Sequence, residues 1–176
     1  LTGIVANDAG TVTLTEAQLL SAGVDDGPGS AMALFSGGTL VATYVAAADV
    51  GLIAGLGAPP ASMSIFDTAA NIQADIASGA SELVAERGLI SAIAVGDSGT
   101  ITLTETQIAA AHIDDGAGSV FAQLTGGSLH VTDATVAQTG TVANLPVAPS
   151  AIGFSEPAPH VQADLIPGRS HTPAHL

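Results

Sequence analysis

Apolar and polar positions alternate in short runs along this chain, and each run is followed by a turn signal and then a stretch rich in alanine. The runs beginning at Ser62 (SMSIFD), Ser91 (SAIAVGD), Ser128 (SLHVTD) and Ser150 (SAIGF) have the two-residue period of a strand with one buried face. After the first of them, Ala69, Ile72 and Ile76 recur at helical spacing, and Asp67 stands where an N-cap is expected. The sequence thus predicts strand, cap and short helix, repeated at intervals of 22 to 37 residues.

One unit carries an additional element. Asp8-Ala9-Gly10 and Asp97-Ser98-Gly99 read as tight turns, and the β-branched runs Thr11 to Leu14 and Thr100 to Leu103 read as second strands. Thr15 with Gln18, and Thr104 with Gln107, have the spacing of a capping box, in which side chain and backbone N–H satisfy each other across three residues. A helix is predicted to begin at each, running in the second case through Ala111 and stopping near Asp114-Asp115-Gly116.

These units belong to a longer repeat. Shifted by 89 positions, the chain aligns with itself without a gap: GTVTLTEAQ from Gly10 falls on GTITLTETQ from Gly99, and DDGPGS from Asp25 falls on DDGAGS from Asp114. Gly37-Gly38 falls on Gly126-Gly127, and QADI from Gln73 falls on QADL from Gln162. The chain is therefore divided into copy one (1–88), copy two (89–165) and a C-terminal tail (166–176). The predicted fold is an α/β repeat, a solenoid-like stack of short parallel strands with short helices. The alternative is an all-β sandwich or β-solenoid in which the helices are only turns.

Composition narrows the functions. Hydrophobic residues make up 47% of the 176, but aromatics only 3%, so the core is built from side chains small enough for close layering. Net charge is −14, with no lysine and with Arg87 and Arg169 as the only arginines. Nucleic acid is excluded as a partner, because phosphate neutralisation requires Lys or Arg. Adhesion to an anionic membrane is disfavoured for the same reason. No apolar run is long enough for a membrane-spanning helix, so no membrane insertion is expected. Cysteine is absent, which removes disulfides and thiolate chemistry. The chain opens on Leu1 without a leader-like segment and is read as a fragment or processed product.

Asp25, Asp26, Asp114 and Asp115 are the candidate metal ligands: repeated, acidic and followed by glycine, as Ca²⁺ loops require. No third carboxylate follows at EF-hand spacing, so the same pairs also read as polar turns ending a helix. Among the histidines, His171 and His175 are four apart, but Pro173 between them argues against a shared helical face, and His112, His130 and His160 stand apart from them. Ser30 and Ser119 lack the Gly-x-Ser-x-Gly frame of a nucleophile, and His112 is Gly23 in the other copy. Glu82 and Glu86 are expected to line a solvated helix face. No catalytic residue and no cofactor beyond Ca²⁺ is expected, and the chain is read as not an enzyme.

The phrase SIFDTAANI from Ser64, with GDSGTITLTETQ from Gly96, resembles repeats of very large exported and surface proteins of bacteria: adhesins, S-layer-like proteins and RTX-type secreted proteins. The resemblance covers roughly residues 1–165 and weakens after Phe154, where Ser155-Glu156-Pro157-Ala158-Pro159 replaces the acidic-Thr-Ala-Ala-Asn phrase. It implies an extracellular or cell-surface, structural or adhesive module. The end faces of a stacked repeat expose apolar surface and backbone edges, so self-association or packing on neighbouring repeats is expected. The nonapeptide Ca²⁺ repeat of RTX domains is missing, since Gly37-Gly38-Thr39-Leu40 and Gly126-Gly127-Ser128-Leu129 lack its third glycine and its aspartate. The competing expectation is a Ca²⁺- or glycan-binding extracellular module.

Overall fold

Side chains that alternate apolar and polar need a partner sheet or helix on one face. Connections carrying a helix bring successive strands back in the same direction. We describe residues 4–5, 10–21, 35–111 and 119–157 of a computed structural model of the chain. The strands are β1 (Ile4–Val5), β2 (Thr11–Thr15), β3 (Phe35–Ser36), β4 (Thr39–Val45), β5 (Ser62–Asp67), β6 (Ile90–Val95), β7 (Thr100–Thr104), β8 (Leu124–Thr125), β9 (Ser128–Ala134) and β10 (Ala151–Phe154). The helices are α1 (Glu16–Leu19), α2 (Val50–Ala54), α3 (Ala69–Ala77), α4 (Glu82–Ala85), α5 (Glu105–Ala110) and α6 (Thr139–Ala143).

Every pairing among the described residues is parallel. Five strands form one sheet in the order β2-β4-β5-β6-β8, three form a second in the order β7-β9-β10, and β1 pairs with β3. The molecule is thus mixed α/β with all-parallel sheets of short strands. The all-β alternative does not describe it: among the described residues six helices stand between parallel strands, and α3 alone makes more than two turns.

The two copies repeat their register residue for residue. Ile4 stands opposite Phe35 as Ile93 stands opposite Leu124. Thr11 opposes Thr39 as Thr100 opposes Ser128, and Val41 opposes Ser62 as His130 opposes Ala151. Even the irregularity recurs. Between Ala42↔Met63 and Val45↔Ile65, β4 carries one more residue than β5, and β9 does the same against β10 between Val131↔Ile152 and Ala134↔Phe154. The bulge places Tyr44 (φ 57°) and its equivalent Asp133 (φ 56°) in the left-handed region, which aspartate tolerates better than tyrosine.

The copies are not separate bodies in this sheet. β5 of copy one pairs with β6 of copy two (Ile65↔Ile93, Phe66↔Ala94), so the boundary between 88 and 89 falls inside the five-stranded sheet. Helix α3 of copy one also packs on β7 of copy two, and Gln73 Oε1 accepts the Thr102 backbone N–H at 2.7 Å. That cover has a consequence for burial. Ile101 and Leu103 on β7 are fully buried, whereas the equivalent Val12 and Leu14 on β2 are only half-buried. A single continuous core joins both copies, with Met63, Ile65, Ile72, Ile93, Ile101, Leu129 and Val131 all at 1% exposure or less.

Local signals act largely as their chemistry dictates. Both capping boxes form, starting α1 at Thr15 and α5 at Thr104. In α3 the predicted stripe of Ala69, Ile72 and Ile76 is buried. Its N-cap, however, is Thr68 and not Asp67: the Thr68 hydroxyl accepts from Asn71 N–H, and Asp67 is left one residue outside the helix. Helix α4 closes at Ala85, so Glu82 is exposed on it while Glu86 is its half-buried C-cap. No helix among the described residues is long and apolar enough to cross a membrane.

Candidate functional site

Open parallel sheets present ligand sites where strands end and helix N-termini expose unpaired N–H groups. In the five-stranded sheet that edge is occupied by the protein's own carboxylates. Glu16, just after β2, accepts the Ala46 N–H that follows β4. Asp67, the last residue of β5, accepts the Ala47 N–H at 3.0 Å from the other side. Asp97, after β6, accepts the Ala69 N–H at 3.1 Å, the first residue of α3. Acids from neighbouring strands thus form a row: Glu16 ties β2 forward to the segment after β4, while Asp67 and Asp97 tie β5 and β6 back to the segments after β4 and β5.

Asp67 is the most engaged of the three. Besides Ala47 it accepts from Thr68 N–H and from Asn71 Nδ2, both at 2.7 Å. Replacing it by alanine leaves the amide of buried Ala47 without its acceptor, and a loss of about 1–3 kcal/mol is expected in a denaturant titration. Asp75 plays a similar part within copy one, accepting from the Ser81 hydroxyl and from Glu82 N–H (3.0 Å) to hold the start of α4.

The backbone N–H groups of Ala69 and Gly99 hold the Asp97 carboxyl below the ordinary carboxylate range. A depressed folded-state value stabilises the fold above the unfolded value of about 3.9, and that stabilisation is lost as pH falls through the lower folded value. The melting-temperature gap between wild type and Asp97→Asn is therefore expected to be constant from neutral pH down to about 5 and to shrink below about 4. A gap that widens on acidification would contradict this assignment.

Copy two arranges the corresponding positions differently. At the place of Ala46 it has Thr135, whose N–H donates to Gln138 Oε1 at 2.8 Å in a third capping box. Asp67 is replaced by Glu156, whose Oε2 is buried with no hydrogen-bond partner among the described residues. Ser119, the one buried polar residue among the described residues, accepts the Ala122 N–H at 3.2 Å and so caps a 3₁₀ turn. His130 lies half-buried on β9.

Asp25, Asp26, Asp114 and Asp115 lie outside the described residues, as do His112, His160, His171 and His175. Among the described residues no group of three or more His, Cys, Asp or Glu is placed to hold a metal. A cavity of about 460 Å³ opens between α3 and α4 of copy one and α5 of copy two. Its apolar wall includes Ile76, Val84, Ala110 and Ala111. Two polar groups in its wall are already engaged: the Ser81 hydroxyl donates to Asp75, and Gln107 Oε1 accepts the Thr104 N–H.

No family model, curated protein or solved structure matches this chain. The surface also carries an exposed aromatic pair: Tyr44 and Phe66, on β4 and β5, meet edge to face at 5.6 Å between ring centres. Copy two has Asp133 and Ser155 in these places.

Proposed function

We propose that the chain is a non-catalytic structural and adhesive module of an exported or cell-surface bacterial protein, self-associating through its stacked strands. The observation that carries this reading is the recurrence of one strand register at a spacing of 89 residues, with a sheet that runs uninterrupted from one copy into the next. Such a stack is modular: each copy ends on a strand able to receive another, as in an α/β solenoid. The acidic groups at the strand ends support the same reading, since Glu16, Asp67 and Asp97 are engaged with the chain's own backbone, as is Asp75 within α3. The extracellular setting rests on the resemblance of the SIFDTAANI and GDSGTITLTETQ phrases to surface-protein repeats.

Sedimentation velocity at rising protein concentration tests the association. Growth into oligomers is expected. It should strengthen with added salt, because copies carrying −14 repel one another and the screening length shortens from about 30 Å at 0.01 M to about 10 Å at 0.1 M. A monodisperse monomer at every concentration and salt level would overturn it. Thermal melts with Ca²⁺ and with EDTA are expected to coincide; a shift between them would favour the cation-binding module instead.

A further inference from the structure

The two smaller sheets are complementary parts of the large one. By the 89-residue correspondence, β7-β9-β10 are the counterparts of β2-β4-β5, and β1-β3 are the counterparts of β6-β8. The three-stranded sheet therefore lacks the two strands that complete β2-β4-β5, and the pair β1-β3 lacks the three that complete β6-β8. Joined at β10 and β1, they would reproduce the five-stranded order already present within the molecule.

Burial shows where completion is missing. Met63 and Ile65 on β5, covered by β6, are 0% and 1% exposed. Their counterparts on β10 are Ile152, only half-buried, and Phe154, 50% exposed. Among the described residues β10 has β9 on one side and no strand on the other. Its outward backbone groups are identifiable. Met63 N–H donates to Leu89 O at 2.7 Å on the β6 side, and Ile152 is the counterpart of Met63. Ser155 N–H donates to Ala134 O on β9 at 3.2 Å, so the N–H of Phe154, one residue earlier on an extended strand, points to the open side. A short edge whose outward amides have no partner among the described residues, beside an exposed phenylalanine, invites addition of a strand.

We propose that β10 of one molecule pairs in parallel with β1 of a second copy of this chain, in the register of β5 with β6. The pairs Ile65↔Ile93 and Phe66↔Ala94 then translate into Phe154 opposite Ile4 and Ser155 opposite Val5 of the next molecule. The contact is head to tail and does not close on itself after one step, so it builds a linear array in which every sheet has five strands. This deepens the self-association reading and rests on it, naming which surfaces meet and in what register.

The chain has no cysteine, so single cysteines report unambiguously. Val5→Cys and Ser155→Cys proteins, mixed and treated with a short bis-maleimide, are expected to give a mixed dimer, and the double variant a ladder of covalent oligomers. Glu82→Cys, on the exposed face of α4, mixed with Ser155→Cys serves as the off-register control and is expected to give little product. Phe154→Pro removes one outward donor while sparing the bond from Ser155 to β9, and is expected to leave the circular dichroism unchanged but abolish the ladder. Equal cross-linking of the 5–155 and 82–155 mixtures would overturn the proposal, as would undiminished assembly of Phe154→Pro. Oligomers in sedimentation without 5–155 cross-links would sink this docking and leave self-association standing. A monomer throughout would sink both.

Discussion

Truncating Ile65 to alanine is expected to destabilise the chain by about 2–5 kcal/mol, whereas truncating Phe154, its counterpart 89 residues later, is expected to cost about 1 kcal/mol or less under conditions where the chain is monomeric. The two side chains occupy one register position, opposite the residue that follows the strand bulge. Ile65 is 1% exposed because β6 lies beside its strand, so removing its methyl groups leaves a cavity in a core that cannot collapse. Phe154, though larger, is 50% exposed and already half in water. Urea titrations of both variants measure the difference. The cost of Phe154→Ala should rise with protein concentration if a second molecule covers β10, since binding then stabilises the native state. Equal costs at low concentration would mean that β10 is covered within one molecule.

The second large effect is at the bend between β8 and β9. Gly126 has φ of +80°, and a Cβ placed there would lie 3.0 Å from the Val95 carbonyl oxygen. Gly126→Val is expected to cost about 1–2 kcal/mol for forcing a side chain into the left-handed region and about 1–3 kcal/mol for the clash with rigid backbone. Gly88→Ala is the control: a Cβ there meets nothing within 4 Å, and its effect should stay within about 0.5 kcal/mol. The matching Gly37 has φ of +78°. The same substitution there should carry at least the conformational part of the penalty, because both copies turn the same corner before their long strand.

What was legible in the sequence was what short-range chemistry specifies. Thr15 with Gln18 and Thr104 with Gln107 start helices because a hydroxyl and an amide three residues apart reach each other's backbone whatever the rest of the chain does. The alternating runs at Ser62, Ser91, Ser128 and Ser150 became β5, β6, β9 and β10, within a residue of their expected starts. Asp67 and Thr68 are both good caps, and periodicity could not choose between them. The structure chooses Thr68 because Asp67 is drawn to the Ala47 amide, a residue twenty positions earlier.

Features that depend on distant partners were not legible. Strands β3 and β8 have two residues each, too few to show alternation, and exist only because a neighbouring strand lies beside them. The third capping box, Thr135 with Gln138, escaped the comparison of copies because copy one has Ala46 and Asp49 in those places. The row of Glu16, Asp67 and Asp97 joins residues between 20 and 30 positions apart, and no local pattern announces it. Its effect on the functional reading is direct. A chain this acidic invites the expectation of bound cations, yet these carboxylates are engaged by backbone amides.

Copy one and copy two share a single parallel sheet across the boundary at residue 88, and the modular stack stands or falls with that pairing. Backbone nuclear Overhauser contacts in an isotopically labelled sample test this most directly. The prediction is a set of parallel inter-strand contacts linking Ser64 with Ala92, Ile65 with Ile93 and Phe66 with Ala94, accompanied by matching patterns for β2 with β4 and β7 with β9. Two internally ordered copies with no contacts between the strands at 62–67 and 90–95, or with antiparallel ones, would contradict it.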